Sequence, residues 1–106
     1  MYKYTKTSNY SYAPFQGKEF LEEYQKVRRK SMNKSLIEDK ELDSKALLSK
    51  SYLNVYEKTK NLKALNFALK INDEICSKEK ITMLCYEALF DELRLVYDII
   101  YKEGLI

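Results

Sequence analysis

The chain has 106 residues, of which 45% are hydrophobic and 33% are charged, and its formal net charge is +3. This balance is typical of one globular domain and is too apolar for a disordered chain. Histidine, the commonest general base and metal ligand, is absent, and the two glycines are too few for a phosphate-binding loop. The composition therefore excludes histidine-dependent catalysis and glycine-rich nucleotide sites, and we expect no cofactor, no metal site and no small-molecule substrate.

The long interval between Gly17 and Gly104 contains neither glycine nor proline. Helices exclude both residues from their interiors, whereas β-proteins need them at tight turns. We therefore predict an all-α fold, a small antiparallel bundle of four main helices joined by short connections. In this interpretation residues 17–106 form a single helical domain.

Residues 1–16 have a different pattern from the rest of the chain. Four tyrosines, Tyr2, Tyr4, Tyr10 and Tyr12, are separated by mostly polar residues. Alternation of this kind is typical of a strand or an extended segment, and no later segment reads as a partner strand. We predict an extended or flexible N-terminal arm, rich in tyrosine, that docks on the helical domain.

Helix 1 is predicted at residues 18–33, where apolar residues recur at helical spacing. The segment SLIE that follows matches a capping box and predicts a short extra turn at residues 35–42. Asp43 or Ser44 is then the predicted N-cap of helix 2, which continues to about Lys60.

Helix 3 is predicted to begin after Asn61 as its N-cap and to end at about Cys76. Ser77 is the predicted N-cap of helix 4, which runs to Glu103. Gly104 then ends this last helix, because glycine adopts the left-handed conformation at helix C-termini without strain.

The predicted interior consists of apolar residues at helical spacing. On helix 2 the widest apolar stripe contains Leu47, Leu48 and Val55, and we predict that this stripe faces the core. The complete predicted core is Leu47, Leu48, Val55, Leu65, Ala68, Ile71, Ile75, Leu84, Ala88, Leu89, Val96 and Ile99.

Helix 4 is apolar around most of its circumference. We expect its charged residues to form a solvated face linked by salt bridges, within an arc of roughly 80°. The remaining arc is so wide that helix 4 is either the central helix of the bundle or also packs on a partner. The charged stripe is Lys80, Glu87, Asp91, Arg94, Asp98 and Lys102.

Two features of helix 4 carry functional predictions. Glu92 lies among apolar residues on the helical wheel, and we expect it to lie at an edge of the bundle or to pair with a lysine from another helix. One edge of the apolar arc carries what we call the aromatic seam: Tyr86, Phe90, Tyr97 and Tyr101. Tyrosine is common both at core boundaries and at interfaces, so the seam is either a core boundary or a partner-binding surface.

Positive charge is concentrated in the first third of the chain. Residues 1–34 carry eight Lys or Arg against three Asp or Glu, whereas residues 71–106 carry four against eight. Basic side chains can track a phosphate backbone, and tyrosines of the arm could stack on bases. The densest group, which we call the basic patch, is Lys26, Arg28, Arg29, Lys30 and Lys34.

Cys76 and Cys85 are too few for a disulfide framework or a four-ligand zinc site, and we expect free thiols. Met1 is followed by mostly polar residues, so we expect no signal peptide. No apolar run approaches the roughly 18 residues that span a membrane. We therefore predict a cytoplasmic protein without membrane contact.

The predicted helix 2–helix 3 hairpin, followed by helix 4, resembles tetratricopeptide repeats in outline. Ala64 matches the small residue that opens the second repeat helix, but Tyr52 and Ile71 stand where small residues are expected. Size and helical content are also similar to those of bacteriocin immunity proteins and phage-encoded inhibitors, without a shared motif. We assign no family.

We predict a small non-enzymatic regulatory or inhibitory protein that binds another protein, or a second copy of itself, through helix 4 and the aromatic seam. The alternative is a nucleic-acid-binding accessory protein that uses the basic patch. A third hypothesis, an enzyme acting through carboxylates or tyrosines, requires Glu92 to lie beside a second carboxylate in a pocket.

Overall fold

A computed structural model describes residues 18–103 and confirms the predicted all-α bundle. The predicted arm and Gly104 lie outside the described residues. Within residues 18–103 there is no strand, and the helices are α1 (Lys18–Met32), α2 (Lys40–Thr59), α3 (Leu62–Cys76) and α4 (Met83–Glu103).

The connection between α1 and α2 is extended, so the extra turn predicted at residues 35–42 is wrong. The backbone of Ile37 donates to the carbonyl of Ile81 at 2.8 Å, and the Ile81 backbone donates to Ser35 at 3.2 Å. The predicted N-cap at Asp43 or Ser44 is also wrong. Helix α2 begins earlier because the carboxylate of Asp39 accepts two backbone N–H groups of its first turn, at 3.0 and 3.1 Å.

The turn between α2 and α3 is tight although it lacks glycine. Lys60 has φ 60° and ψ 24°, and its backbone N–H donates to the carbonyl of Tyr56 at 2.7 Å. The next residue, Asn61, accepts the backbone N–H of Lys63 at 2.9 Å and caps α3, as predicted. Lys60 therefore occupies the left-handed position that glycine usually fills.

The prediction that Ser77 opens helix 4 is wrong. Ser77 follows α3, and its hydroxyl donates to the carbonyl of Glu74 at 2.6 Å. Helix α4 begins at Met83, where the hydroxyl of Thr82 accepts the backbone N–H of Cys85 at 3.2 Å. Between the two helices, Ile81 is buried in the core. The extended pairing of this segment with residues 35–37 allows that burial.

The core consists of two apolar clusters. Half of the predicted core residues are buried there: Leu65, Ala68, Ile75, Ala88, Leu89 and Val96. Three more, Ile71, Leu84 and Ile99, are partly buried at the edges of the clusters. We call one of them the upper cluster; it includes Leu21, Leu53, Leu65 and Val96. We call the other the lower cluster; it includes Leu42, Ile75, Ile81 and Leu89.

The predicted core face of α2 is wrong, because Leu47, Leu48 and Val55 are about half exposed. The buried face instead carries Leu42, Ala46, Ser49, Leu53 and Tyr56. Two of these residues are small, which lets neighbouring helices approach α2 closely. The outward and the inward stripe carry equal numbers of large apolar residues, so their count does not distinguish the two faces, and close packing selects the inward one.

Helices α3 and α4 each contact the three other helices, so the two together form the centre of the bundle. The buried face of α4 includes Cys85, Leu89, Glu92 and Val96. Within residues 18–103 no helix has the length and apolar character required to cross a membrane.

The orientation of α2 can be tested with two leucines of the same helix. Leu53→Ala is expected to lower the free energy of unfolding by about 2–5 kcal/mol, because this side chain is 2% exposed. Leu48→Ala is expected to change it by about 0.5 kcal/mol or less, because that side chain is 51% exposed. Urea titration measures both values, and a Leu48→Ala cost equal to that of Leu53→Ala would contradict this orientation.

Candidate functional site

A layer of buried polar side chains separates the upper and lower apolar clusters. Each helix contributes one fully buried member: Arg28 from α1, Ser49 from α2, Asn72 from α3 and Glu92 from α4. In α2, α3 and α4 the buried polar residue lies, along the chain, between core residues of the upper cluster and core residues of the lower cluster. We call these four residues the polar layer.

Glu92 is the centre of the polar layer, and both of its carboxylate oxygens accept hydrogen bonds. The Nε of Arg28 donates to Oε2 at 2.7 Å, and the hydroxyl of Tyr24 donates to the same oxygen. The amide of Asn72 donates to Oε1 at 2.7 Å, and its own carbonyl oxygen accepts the hydroxyl of Ser49 at 2.7 Å. The chain of bonds therefore connects all four helices.

Arg28 is fully buried and lies between two carboxylates. Besides Glu92, it donates to Oδ1 of the partly buried Asp73 at 2.8 Å. It also donates to the carbonyl of Leu69 at 3.3 Å and approaches Sγ of Cys76 at 3.5 Å. Charge-assisted hydrogen bonds of this kind offset the large cost of removing a guanidinium from water.

Glu92 forms an ion pair with another helix, as expected, but its partner is an arginine of α1 and not a lysine. The alternative expectation, a position at an edge of the bundle, is wrong, because Glu92 is fully buried. The hypothesis of an enzyme required a second carboxylate beside Glu92 in a pocket. The nearest carboxylate in its network, Asp73, is reached only through Arg28, and Glu92 is fully buried. This arrangement can hold the helices in register.

The two cysteines are free, as expected, and both contact polar groups of the core. Cys85 is buried, where its Sγ lies 3.3 Å from the hydroxyl of Thr82 and 3.7 Å from the carbonyl of Leu42. Among the described residues there is no group of three or more cysteine, aspartate or glutamate side chains that could hold a metal ion.

The prediction of a solvated, salt-bridged face on α4 is confirmed for four of the six residues of the charged stripe, Glu87, Arg94, Asp98 and Lys102. Lys80 precedes α4, and Asp91 is partly buried. Glu87 pairs with Lys50 of α2 at 2.7 Å, and Arg94 pairs with Glu57 of α2 at 3.2 Å. A shallow groove of about 170 Å³ lies between α2 and α4 along these pairs. Because its principal charges neutralise one another, the groove has little charge left for a ligand.

The structure divides the basic patch. Lys26, Arg29 and Lys30 are exposed, as expected, but Arg28 is buried in the polar layer. The ammonium of Lys34 donates to the carbonyl of Cys76 at 2.7 Å and to that of Lys78 at 2.5 Å. Lys34 thus stabilises the C-terminal end of α3, where a cation is favoured by the helix dipole.

Two of the three described side chains of the aromatic seam are exposed. Tyr86 is 37% exposed and Phe90 is 52% exposed, whereas Tyr97 is partly buried. The side chain of Tyr101 lies outside the described residues. Met83, which was not assigned to the seam, is 54% exposed on the same side of α4 and extends it by one turn.

The seam and the basic patch meet at one point. The hydroxyl of Tyr97 accepts a hydrogen bond from Arg29 of α1 and donates to Gln25 at 2.8 Å. Two candidate surfaces that are far apart in the sequence are therefore adjacent in the fold, with Arg29 at their junction.

The polar layer can be tested by breaking its ion pair. Glu92→Ala is expected to lower the free energy of unfolding by about 3–5 kcal/mol, because Arg28 then keeps a buried charge without its inner carboxylate. Glu87→Ala on the same helix removes an exposed pair and is expected to cost about 1 kcal/mol or less. Denaturant unfolding measures both, and equal costs for the two glutamates would contradict the assignment.

The exposed pair between Arg94 and Glu57 predicts a titration behaviour. Hydrogen bonding and the positive charge of Arg94 hold the pKa of Glu57 below its usual range. This contribution to stability is therefore present above the unfolded-state pKa and is lost as the pH falls through the folded-state pKa. In an NMR titration Arg94→Gln is expected to raise the pKa of Glu57 towards its ordinary value; an unchanged pKa would show that the pair does not form in solution.

Comparison with known proteins gives no match: no family model matches the chain, and neither a curated protein nor a solved structure matches it.

Proposed function

We propose that this protein is a small non-enzymatic regulatory or inhibitory protein that binds another protein through the outward face of α4. The observation that carries the proposal is the exposure of Tyr86 and Phe90 on a helix whose opposite face is buried. Together with Met83 they form an apolar stripe at spacings of three and four residues. Aromatic residues are enriched among those that dominate binding energies at protein interfaces.

The packing of α4 against the rest of the bundle favours binding of a partner protein. This helix contacts the three other helices, and the Glu92 carboxylate ties it to α1 and α3 through hydrogen bonds from Arg28 and Asn72. A preformed helix face loses little conformational freedom when a partner binds, so more of the contact energy appears as affinity.

The polar end of the seam indicates what a partner must supply. Arg29 and the hydroxyl of Tyr97 lie beside the apolar stripe, and Arg29 forms no ion pair among the described residues. We infer that the partner presents apolar side chains to Met83 and Phe90 and a carboxylate or carbonyl oxygen to Arg29. Arginine is well suited to such recognition because its planar guanidinium forms paired hydrogen bonds with carboxylates.

The two other hypotheses have less support. An enzyme acting through Glu92 would need a carboxylate that a substrate can reach, whereas this one is enclosed in the core. Nucleic-acid binding by the basic patch loses Arg28 to the polar layer and engages Lys34 at the end of α3.

The proposal can be tested with two variants that remove side chains of similar exposure. Tagged wild-type protein, Phe90→Ala and Leu48→Ala serve as baits in an extract of the source cells, and sedimentation velocity of each purified protein measures self-association. Wild type and Leu48→Ala are expected to retain the same protein, or to form the same dimer. Phe90→Ala is expected to weaken that association at least about 30-fold, the effect of a central interface residue.

Phe90 is a better choice than Tyr97 for this test. The Tyr97 hydroxyl bonds to two residues of α1, so its removal would also disturb helix packing. Association that is equal in wild type and Phe90→Ala would contradict the proposal, and loss in Leu48→Ala alone would move the interface to the outward face of α2.

A further inference from the structure

A second aromatic and basic surface lies on α3, away from the basic patch of α1. A shallow cavity of about 130 Å³ is lined by Lys63, Asn66, Phe67 and Lys70. The two lysines stand four residues before and three residues after the phenylalanine, so all three share one side of the helix. We call these three residues the α3 surface.

Phe67 is held in place from one side and open on the other. Its ring stacks on Tyr52 of α2, with 5.1 Å between the ring centroids and 28° between the ring planes. The Phe67 side chain is nevertheless 49% exposed. A supported ring with an accessible face is the usual platform on which an unpaired base stacks.

The charge around this ring is positive and is not neutralised nearby. From Lys58 to Asn72 the chain contains four lysines and no acidic residue. Among residues 18–103, none of the ion pairs involves Lys63 or Lys70, although the partly buried Lys45 and Lys50 are paired. The free positive charges therefore flank the exposed ring on both sides.

We propose that the α3 surface binds single-stranded nucleic acid, with a base stacked on Phe67 and the phosphates on either side of that base held by Lys63 and Lys70. Along the helix axis the lysines lie about 6 and about 4.5 Å from the phenylalanine, at 1.5 Å per residue. The combination of an aromatic platform with flanking lysines selects a strand with unpaired bases, because a duplex offers its phosphates but keeps its bases stacked internally.

The geometry favours this surface over the basic patch for a polyanion. Among residues 21–32 of α1, whose side chains are described, no exposed aromatic accompanies Lys26, Arg29 and Lys30, and Arg29 bonds to Tyr97 of α4. On α3 both elements of the recognition are combined, and α4 stays available for the protein partner proposed above.

The test is fluorescence anisotropy of the full-length protein with a short labelled oligothymidine, at about 50 and about 200 mM salt. Binding is expected to weaken log-linearly with salt. Lys63→Gln combined with Lys70→Gln is expected to reduce the slope by about 1.4, at about 0.7 per phosphate contact on single strands. Phe67→Leu keeps an apolar contact with Tyr52 but removes the stacking face, and it is expected to weaken binding about 5- to 150-fold.

Each variant has a matched control. Leu48→Ala removes an apolar side chain of α2 with similar exposure, and Lys26→Gln combined with Lys30→Gln removes two exposed charges of α1. Both control variants are expected to weaken oligothymidine binding less than the α3 variants do. Circular dichroism checks that every variant is folded.

Several outcomes would overturn the proposal. They are no binding at about 50 mM salt, equal affinity for a duplex of the same length, or a loss caused by the α1 variants and not by the α3 variants. Displacement of the oligothymidine by thymidine monophosphate at a concentration near the oligonucleotide Kd would also overturn it, because the ligand would then be a free nucleotide.

Discussion

One buried arginine governs the organisation of this bundle. Arg28 lies inside the core between the carboxylates of Glu92 and Asp73, and Glu92 is in turn bonded to Asn72. Burying one of these charges without its partner costs several kcal/mol, a large share of the stability of a small domain, so the groups favour the one helix register in which they are buried together. The polar layer thus limits the ways in which two apolar clusters, which alone would tolerate sliding, can be assembled.

This constraint separates structure from candidate function. Glu92 and Arg28, which were candidates for catalysis or for phosphate contacts, form an ion pair in the core. Lys34 donates a hydrogen bond to the C-terminal end of α3. What is left outside is an aromatic stripe on α4 and a lysine-flanked phenylalanine on α3. Both lie on helices whose positions are fixed by the polar layer, which makes each of them a preformed surface.

Sequence reasoning predicted the helices well and their faces unevenly. The absence of glycine and proline, and the cap at Asn61, were sufficient for the hairpin of α2 and α3. The segment around Ile81 was assigned to a helix because its extended pairing with residues 35–37 is a contact between distant parts of the chain, which local patterns do not contain.

The polar layer could be predicted in part from the sequence. Arg28 falls on the same helical face as Leu21 and Tyr24, and Glu92 falls among apolar residues of α4. Two opposite charges on two apolar faces indicate an ion pair, but the choice of Asn72 and Ser49 as further partners depends on the packing of all four helices.

The most direct measurement of the central claim is the exchange rate of the arginine side-chain Nε protons by NMR. The chain has three arginines, so the three signals can be assigned by single substitutions. Burial and the bond to Glu92 predict that the Arg28 proton exchanges far more slowly than those of Arg29 and Arg94, which lie on exposed side chains. An Arg28 proton that exchanges as fast as the other two would show that the arginine is open to water and that the polar layer does not hold the bundle together.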